Sequence, residues 1–269
     1  MIKYIVNALK GFAMGAANVV PGVSGGTIAL ITGIYGKLID CLNDIMTPSK
    51  WKNIDWGFLL SLAVGLVVSI FSLAKLITVC LDQYPILTWA FFFGLILASA
   101  GLMLKNISGW KVKDVVITVV GAAIGVAVCS LSPTETTDAL WFVFLCGVLA
   151  ICSMILPGIS GSFILVILGK YDYIMAAITE LDIPVLAVFA IGCGIGVLAF
   201  AKALHWLLGK YERSTMLVLI GFVIGSLVKV WPWQNLAPSA EMHIPGAIIC
   251  CAAGVALLLV IELVSRRKS

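Results

Sequence analysis

Along the 269 residues, apolar positions gather into seven long blocks separated by short polar stretches, near 57–80, 86–104, 114–131, 139–156, 184–208, 215–231 and 244–264. Each block is about the 17 to 25 residues that an α-helix needs to cross a hydrocarbon layer. None alternates apolar with polar residues as a barrel strand would, so the pattern predicts helices throughout. Two places break it. "NVVPGVSGGTIALITGIYGKLID", residues 18–40, puts Pro21, Gly22, Gly25 and Gly26 into an apolar segment, and "ILPGISGSFILVILGKYDYI" does the same from residue 155.

Composition turns this pattern into a class. With 62% hydrophobic residues, 11% charged and a mean hydropathy of +1.14, the chain reads as an integral membrane protein. The opening "MIKYIVNALKGFAMGAA" superficially resembles a signal peptide, but Lys10 interrupts its apolar run, and the segment is expected to be retained. The eight cysteines lie mostly inside apolar blocks without a CxxC pair or a histidine at ligand spacing, and read as small core hydrophobes, not as metal ligands.

Laid over each other at an offset of 136, the two broken segments match Pro21 with Pro157, Gly22 with Gly158, Ser24 with Ser160, Gly25 with Gly161, Gly33 with Gly169 and Tyr35 with Tyr171. Further on, an offset of 127 pairs Lys75 with Lys202, Tyr84 with Tyr211, Gly94 with Gly221 and Ser99 with Ser226. Two copies of one unit are expected, 1–137 and 138–269, within one membrane domain.

Basic residues orient the copies, since lysine and arginine accumulate on the cytoplasmic side. If the 105–113 loop is cytoplasmic, alternation collects thirteen of the 17 Lys and Arg there, with both termini. The other face keeps Lys170 and Lys229 among several acids. This requires 11–39 and 139–181 each to enter and leave on one side. The expected fold is therefore all-α: two inverted-topology repeats, each a broken or re-entrant helical hairpin plus three transmembrane helices.

A proline ends or bends a helix and restrains the residue before it, so chain should turn at Val20-Pro21 and Leu156-Pro157. Ser24 and Ser160 are placed to cap the half-helices that follow. The amides of Gly25, Gly26 and Thr27, and of Gly161, Ser162 and Phe163, are expected to be left as free donors. Two helix N-termini meeting mid-membrane would make an anion site without a buried lysine. Asn18, Ser24, Thr27, Ser160 and Ser162 are the side chains expected to touch the ligand, beside the backbone of Gly22, Gly25, Gly26, Gly158 and Gly161. The competing reading is helix packing, since Gly22 and Gly26 are spaced four apart. Lys75 and Lys202 either attract the anion or snorkel to an interface. Lys37 and Lys170 read as auxiliary groups or as interface anchors, and His205 as a proton carrier or a structural residue.

The doubled Pro-Gly-x-Ser-Gly turn, in "NVVPGVSGGTIALITGIYGKLI" and "ILPGISGSFILVILGKYDYI", resembles that of the bacterial polyprenyl-phosphate transporter family over essentially the whole chain. The resemblance implies a flippase of the bacterial cytoplasmic membrane. It would return undecaprenyl phosphate, the lipid carrier of peptidoglycan and other cell-wall precursors, from the outer to the cytoplasmic leaflet. The phosphate-binding motif then falls on 21–27 and 157–162. The second copy reads Gly161, Ser162, Phe163 where the first has Gly-Gly-Thr, which leaves open whether the half-sites bind equally. The expected partner is the polyprenyl phosphate lipid in its bilayer, with no nucleic acid. No cofactor is expected beyond a coupling ion, proton or sodium, which the sequence does not identify, and the oligomeric state is not legible. Two histidines and no paired carboxylates within a span argue against an enzyme. A transporter or channel for a small soluble anion is the alternative.

Overall fold

The computed structural model describes residues 2–19, 24–45, 47–105, 107–134, 136–234 and 243–266. Pro21 and Gly22 of the first turn lie outside the described residues, as does the side chain of Lys75. Helices α1 (Ile2–Val19), α2 (Gly25–Ile31) and α3 (Tyr35–Ile45) precede a short 3-10 turn at Pro48–Asn53. Then come α4 (Trp56–Gln83), α5 (Pro85–Lys105) and α6 (Val112–Cys129). The second half runs through α7 (Leu140–Ile155), α8 (Gly161–Ile167), α9 (Tyr171–Glu180), α10 (Ile183–Ser226) and α11 (Ile244–Arg266).

Among the described residues four of these, α4, α5, α6 and α10, are long and apolar enough to cross a membrane, or up to six spans if each bent pair counts as one. The chain is thus a multi-pass membrane protein. At 44 residues α10 would be about 66 Å long, twice a hydrocarbon core, but it is interrupted at Tyr211 (φ −135°, ψ 42°). Tyr84, 127 residues earlier, takes nearly the same backbone angles between α4 and α5 (φ −133°, ψ 55°). The bent pairs are α2 with α3, at 117°, and α8 with α9, at 110°. Each bend passes through a left-handed glycine, Gly33 at φ +70° and Gly169 at φ +62°, a conformation that a Cβ disfavours.

Helices pack in four close pairs: α1 with α4, α7 with the first part of α10, α5 with α11, and α6 with the second part of α10. Backbone meets backbone where glycine removes the side chain, as membrane helices require for close approach. A Cβ on Gly65 would overlap the carbonyl of Ala8, and one on Gly192 the carbonyl of Phe144. In the other two pairs, Gly94 meets Cys251 and Gly221 meets Thr118. The main core lies where α2, α3, α5 and α10 converge, around Ala29, Ile39, Ile96, Ile220 and Val223.

Candidate functional site: two turns that hold each other

Helix α7 stops because Pro157 follows. Leu156 is extended (φ −65°, ψ 130°), as a residue before proline should be. Gly158 then turns at φ +94° and Ser160 caps α8, its Oγ accepting from the Phe163 N–H at 3.2 Å. Ser24 does the same for α2, accepting from the Gly26 N–H at 3.1 Å. The two helices have the same seven-residue length.

The turns are neighbours. Ser24 Oγ donates toward the carbonyls of Leu156 (3.0 Å) and Met154 (3.2 Å), and the Tyr35 hydroxyl donates to Ile155 O (3.1 Å). In the other direction the Gly158 N–H donates to Thr27 Oγ1 at 2.8 Å. Gly26 lies so near that a Cβ there would come within 2.6 Å of Ile155 O. The positive end of α2 therefore faces the carbonyl end of α7. Ser24, Thr27 and Ser160 are almost completely buried, while Asn18 and Ser162 are half-buried. The hydroxyls of Ser160 and Ser162 stand 3.1 Å apart.

One expectation is corrected here. The amides of the first turn are not left as free donors: Gly25 N–H reaches Asn18 Oδ1 (2.7 Å), Gly26 N–H reaches Ser24 Oγ, and Thr27 N–H reaches Ser24 O (3.0 Å). Phe163 N–H of the second turn is likewise taken by Ser160. The reason is that a buried N–H must have a partner, and the turn supplies its own acceptors.

One basic group stands beside the second turn: Lys229 Nζ lies over the Phe163 ring, 4.4 Å from its centroid. The basic groups singled out from the sequence lie elsewhere. Lys37 pairs with Asp55 at 2.6 Å and sits over the Phe58 ring, and buried Lys170 pairs with Asp138 at 2.6 Å and donates to Thr136 O. Both are at the ends of the half-helix units away from the turns. Lys202 is exposed on α10. His205 Nδ1, within α10, lies 2.8 Å from Asp40 of α3. Among the described residues no cluster of three or more His, Cys, Asp or Glu could hold a metal ion.

The profile of the undecaprenyl phosphate translocase-like family matches residues 14–244, a stretch that includes both turns. This chain belongs to that family. A polyprenyl-phosphate transporter of Vibrio cholerae is 43% identical over 246 residues, covering 87% of this chain and 80% of the relative. One from Staphylococcus aureus is 35% identical over 246 residues, covering 84% and 86%. No solved structure matches.

Three features of this family member are not apparent from the sequence. Tyr35, a repeat mate of Tyr171, ties α3 to the end of α7 through its buried hydroxyl. Ser226, matched with Ser99, places its Oγ within 2.8 Å of where a Gly158 Cβ would stand. Arg213 of "GKYER" pairs with buried Asp114 at 2.8 Å and donates to the carbonyls of Ser108 and Gly109. Hydroxyl residues at matched repeat positions were the available signal for the first two; for the third there was none. Beside α2 lie two clefts, of about 360 and 410 Å³, which have Leu30, Gly33, Glu212 and Met216 in common.

Proposed function

We propose that this protein carries polyprenyl phosphate across the bacterial cytoplasmic membrane, from the outer to the cytoplasmic leaflet, binding the phosphate between the Ser24 and Ser160 turns. The observation that carries the reading is the mutual clasp: Ser24 to Leu156 and Met154, and Gly158 to Thr27. Substrate phosphate oxygens replace carbonyl and hydroxyl acceptors at these donors, including the Ser24 hydroxyl, the Gly158 N–H and the amides now held by Asn18 and Ser24. The carbonyl end of α7 repels an anion that the start of α2 attracts, so the phosphate enters only as α2 and α7 separate. Head-group binding is thereby linked to relative motion of the two hairpins, and most of the apolar chain stays in lipid. An ion gradient, of protons or sodium, drives the cycle.

The reading includes two inverted halves. In support, α4 starts at Asp55, which Lys3 and Lys37 join, whereas the first part of α10 ends near His205, bonded to Asp40 of α3. The glycine contacts make α1 parallel to α4 and α7 parallel to α10, so the two pairs run oppositely. The lysine and arginine distribution puts both termini on the cytoplasmic side.

The test is reconstitution into liposomes with labelled polyprenyl phosphate. Ser24→Ala combined with Ser160→Ala should slow transport about tenfold or more, the loss of hydrogen bonds to a charged group. Gly25→Leu should do the same, since its Cβ would meet the Asn18 amide at 2.8 Å. Equal rates for all three proteins would overturn the site. Movement of inorganic phosphate or sulfate alone would favour the small-anion reading.

A further inference from the structure

We infer that the adjoining clefts beside α2 are a lipid-chain subsite, occupied by the first isoprene units of the substrate when its phosphate has reached the cytoplasmic rim. The inference rests on the proposed function and adds a second binding region to it.

The two clefts adjoin, with Leu30, Gly33, Glu212 and Met216 in the walls of both. Their chemistry is graded. Along α10, Glu212 and Arg213 stand at one end, then Met216, then Ile220, about 12 Å further on. The same helix continues to Ser226, beside Gly158. On α2, Leu30 and Ile31 line the cleft about 10 Å from the Ser24 cap. On α5 and beyond, Leu102 and Met103 give way to Ser108. Glu212, Arg213, Ser108, Asp40 and His205 thus gather toward one side, and the aliphatic lining on α2 and α10 runs toward the turns, where the Tyr35 hydroxyl is already bonded to Ile155 O. That is the polarity of a lipid phosphate in the cytoplasmic leaflet: head at the surface, chain directed inward.

A free inorganic anion has no use for such walls, because burying it against leucine, isoleucine and methionine leaves it unsolvated. A branched isoprenoid chain does, and Met103 and Met216 are the side chains best able to adapt to it. The rim is suited to transit. Arg213 is fixed by Nη2 to Asp114, Ser108 and Gly109, so its guanidinium is held at the cleft mouth, while Glu212 and Asp40 oppose prolonged retention of a phosphate. The walls come from α2, α3 and α5 on one side and α10 on the other, so motion between the halves widens or narrows the space.

The experiment compares two substrates in liposomes containing the full chain: a long polyprenyl phosphate and methyl phosphate, which carries the head group and no isoprene unit. Met216→Trp should slow the long substrate about tenfold and leave methyl phosphate within about twofold of wild type. Equal slowing of both, or of neither, overturns the subsite. A wild-type protein that moves neither substrate overturns the proposed function itself. Independently of any variant, a polyprenyl phosphate with a photoreactive group near its head should crosslink wild-type protein at 30–31 and 216–220. Crosslinks that avoid these segments also overturn the inference.

Discussion

Asp55 shows how one carboxylate organises a helix end. Oδ1 caps α4 by accepting from the Phe58 N–H at 2.9 Å, and Oδ2 takes the ammonium groups of Lys37 and Lys3 at 2.6 and 3.2 Å. The hydrogen bond from Lys37, then that from Phe58, hold its carboxyl well below the usual carboxylate range. Because the folded-state value is depressed, the stabilisation is complete above the unfolded value, about 3.9, and is lost as pH falls through the folded one. Asp55→Asn keeps a competent cap while removing the ion pairs. It should cost less than about 1 kcal/mol near neutrality and flatten the acid limb of a thermal-unfolding series below about pH 5. A full-sized acid limb in Asp55→Asn would show that other carboxylates govern it. Sequence reading gave Lys37 an anchoring or auxiliary role. Its partner, 18 residues on, is brought back by the Pro48–Asn53 turn, which no local pattern announces.

At the scale of elements, glycine spacing decides how closely helices pack. Gly192 and Gly194 lie on the same helix, two residues apart, but only Gly192 faces a neighbour, the Phe144 backbone. Gly192→Ala should force α10 from α7 and cost about 1 to 3 kcal/mol. Gly194→Ala meets nothing within 4 Å and should be neutral or stabilising by up to about 1 kcal/mol. Thermal unfolding of the two variants in detergent measures the difference, and equal melting temperatures would refute the close-packing argument. Span limits were largely legible: the blocks at 57–80 and 86–104 became Trp56–Gln83 and Pro85–Lys105. The gap expected between the blocks at 184–208 and 215–231 falls at Tyr211, where the backbone leaves the helix with nearly the angles of Tyr84. The stretch after Ser226 was read as apolar span through residue 231, but α10 ends at Ser226 and a turn follows.

For the whole molecule, the arrangement of the halves makes a topological prediction. In a cysteine-free background, Lys37→Cys and Asp172→Cys should react with an impermeant thiol reagent from opposite faces of the membrane. Labelling of both from one face would refute the inversion. The two halves are tied at their centre by hydrogen bonds between residues about 130 apart, Ser24 with Leu156 and Thr27 with Gly158. They are tied again at one end by Asp114 with Arg213 and Asp40 with His205.

Apolar block length, the doubled Pro-Gly-x-Ser-Gly turn and the sorting of lysines were readable from the chain, because each is set by neighbours within a turn or two and by the thickness of a bilayer. Membrane class, span positions, the broken half-helices and their serine caps followed from them. Tertiary structure alone decided what the breaks face. The acceptors for Gly25 and Gly26, the meeting of α2 with the carbonyl end of α7, the Arg213–Asp114 pair and the graded clefts all depend on helices that pack across the two halves. A local pattern shows that a backbone donor has lost its helical partner; only the packed molecule shows which group has taken its place.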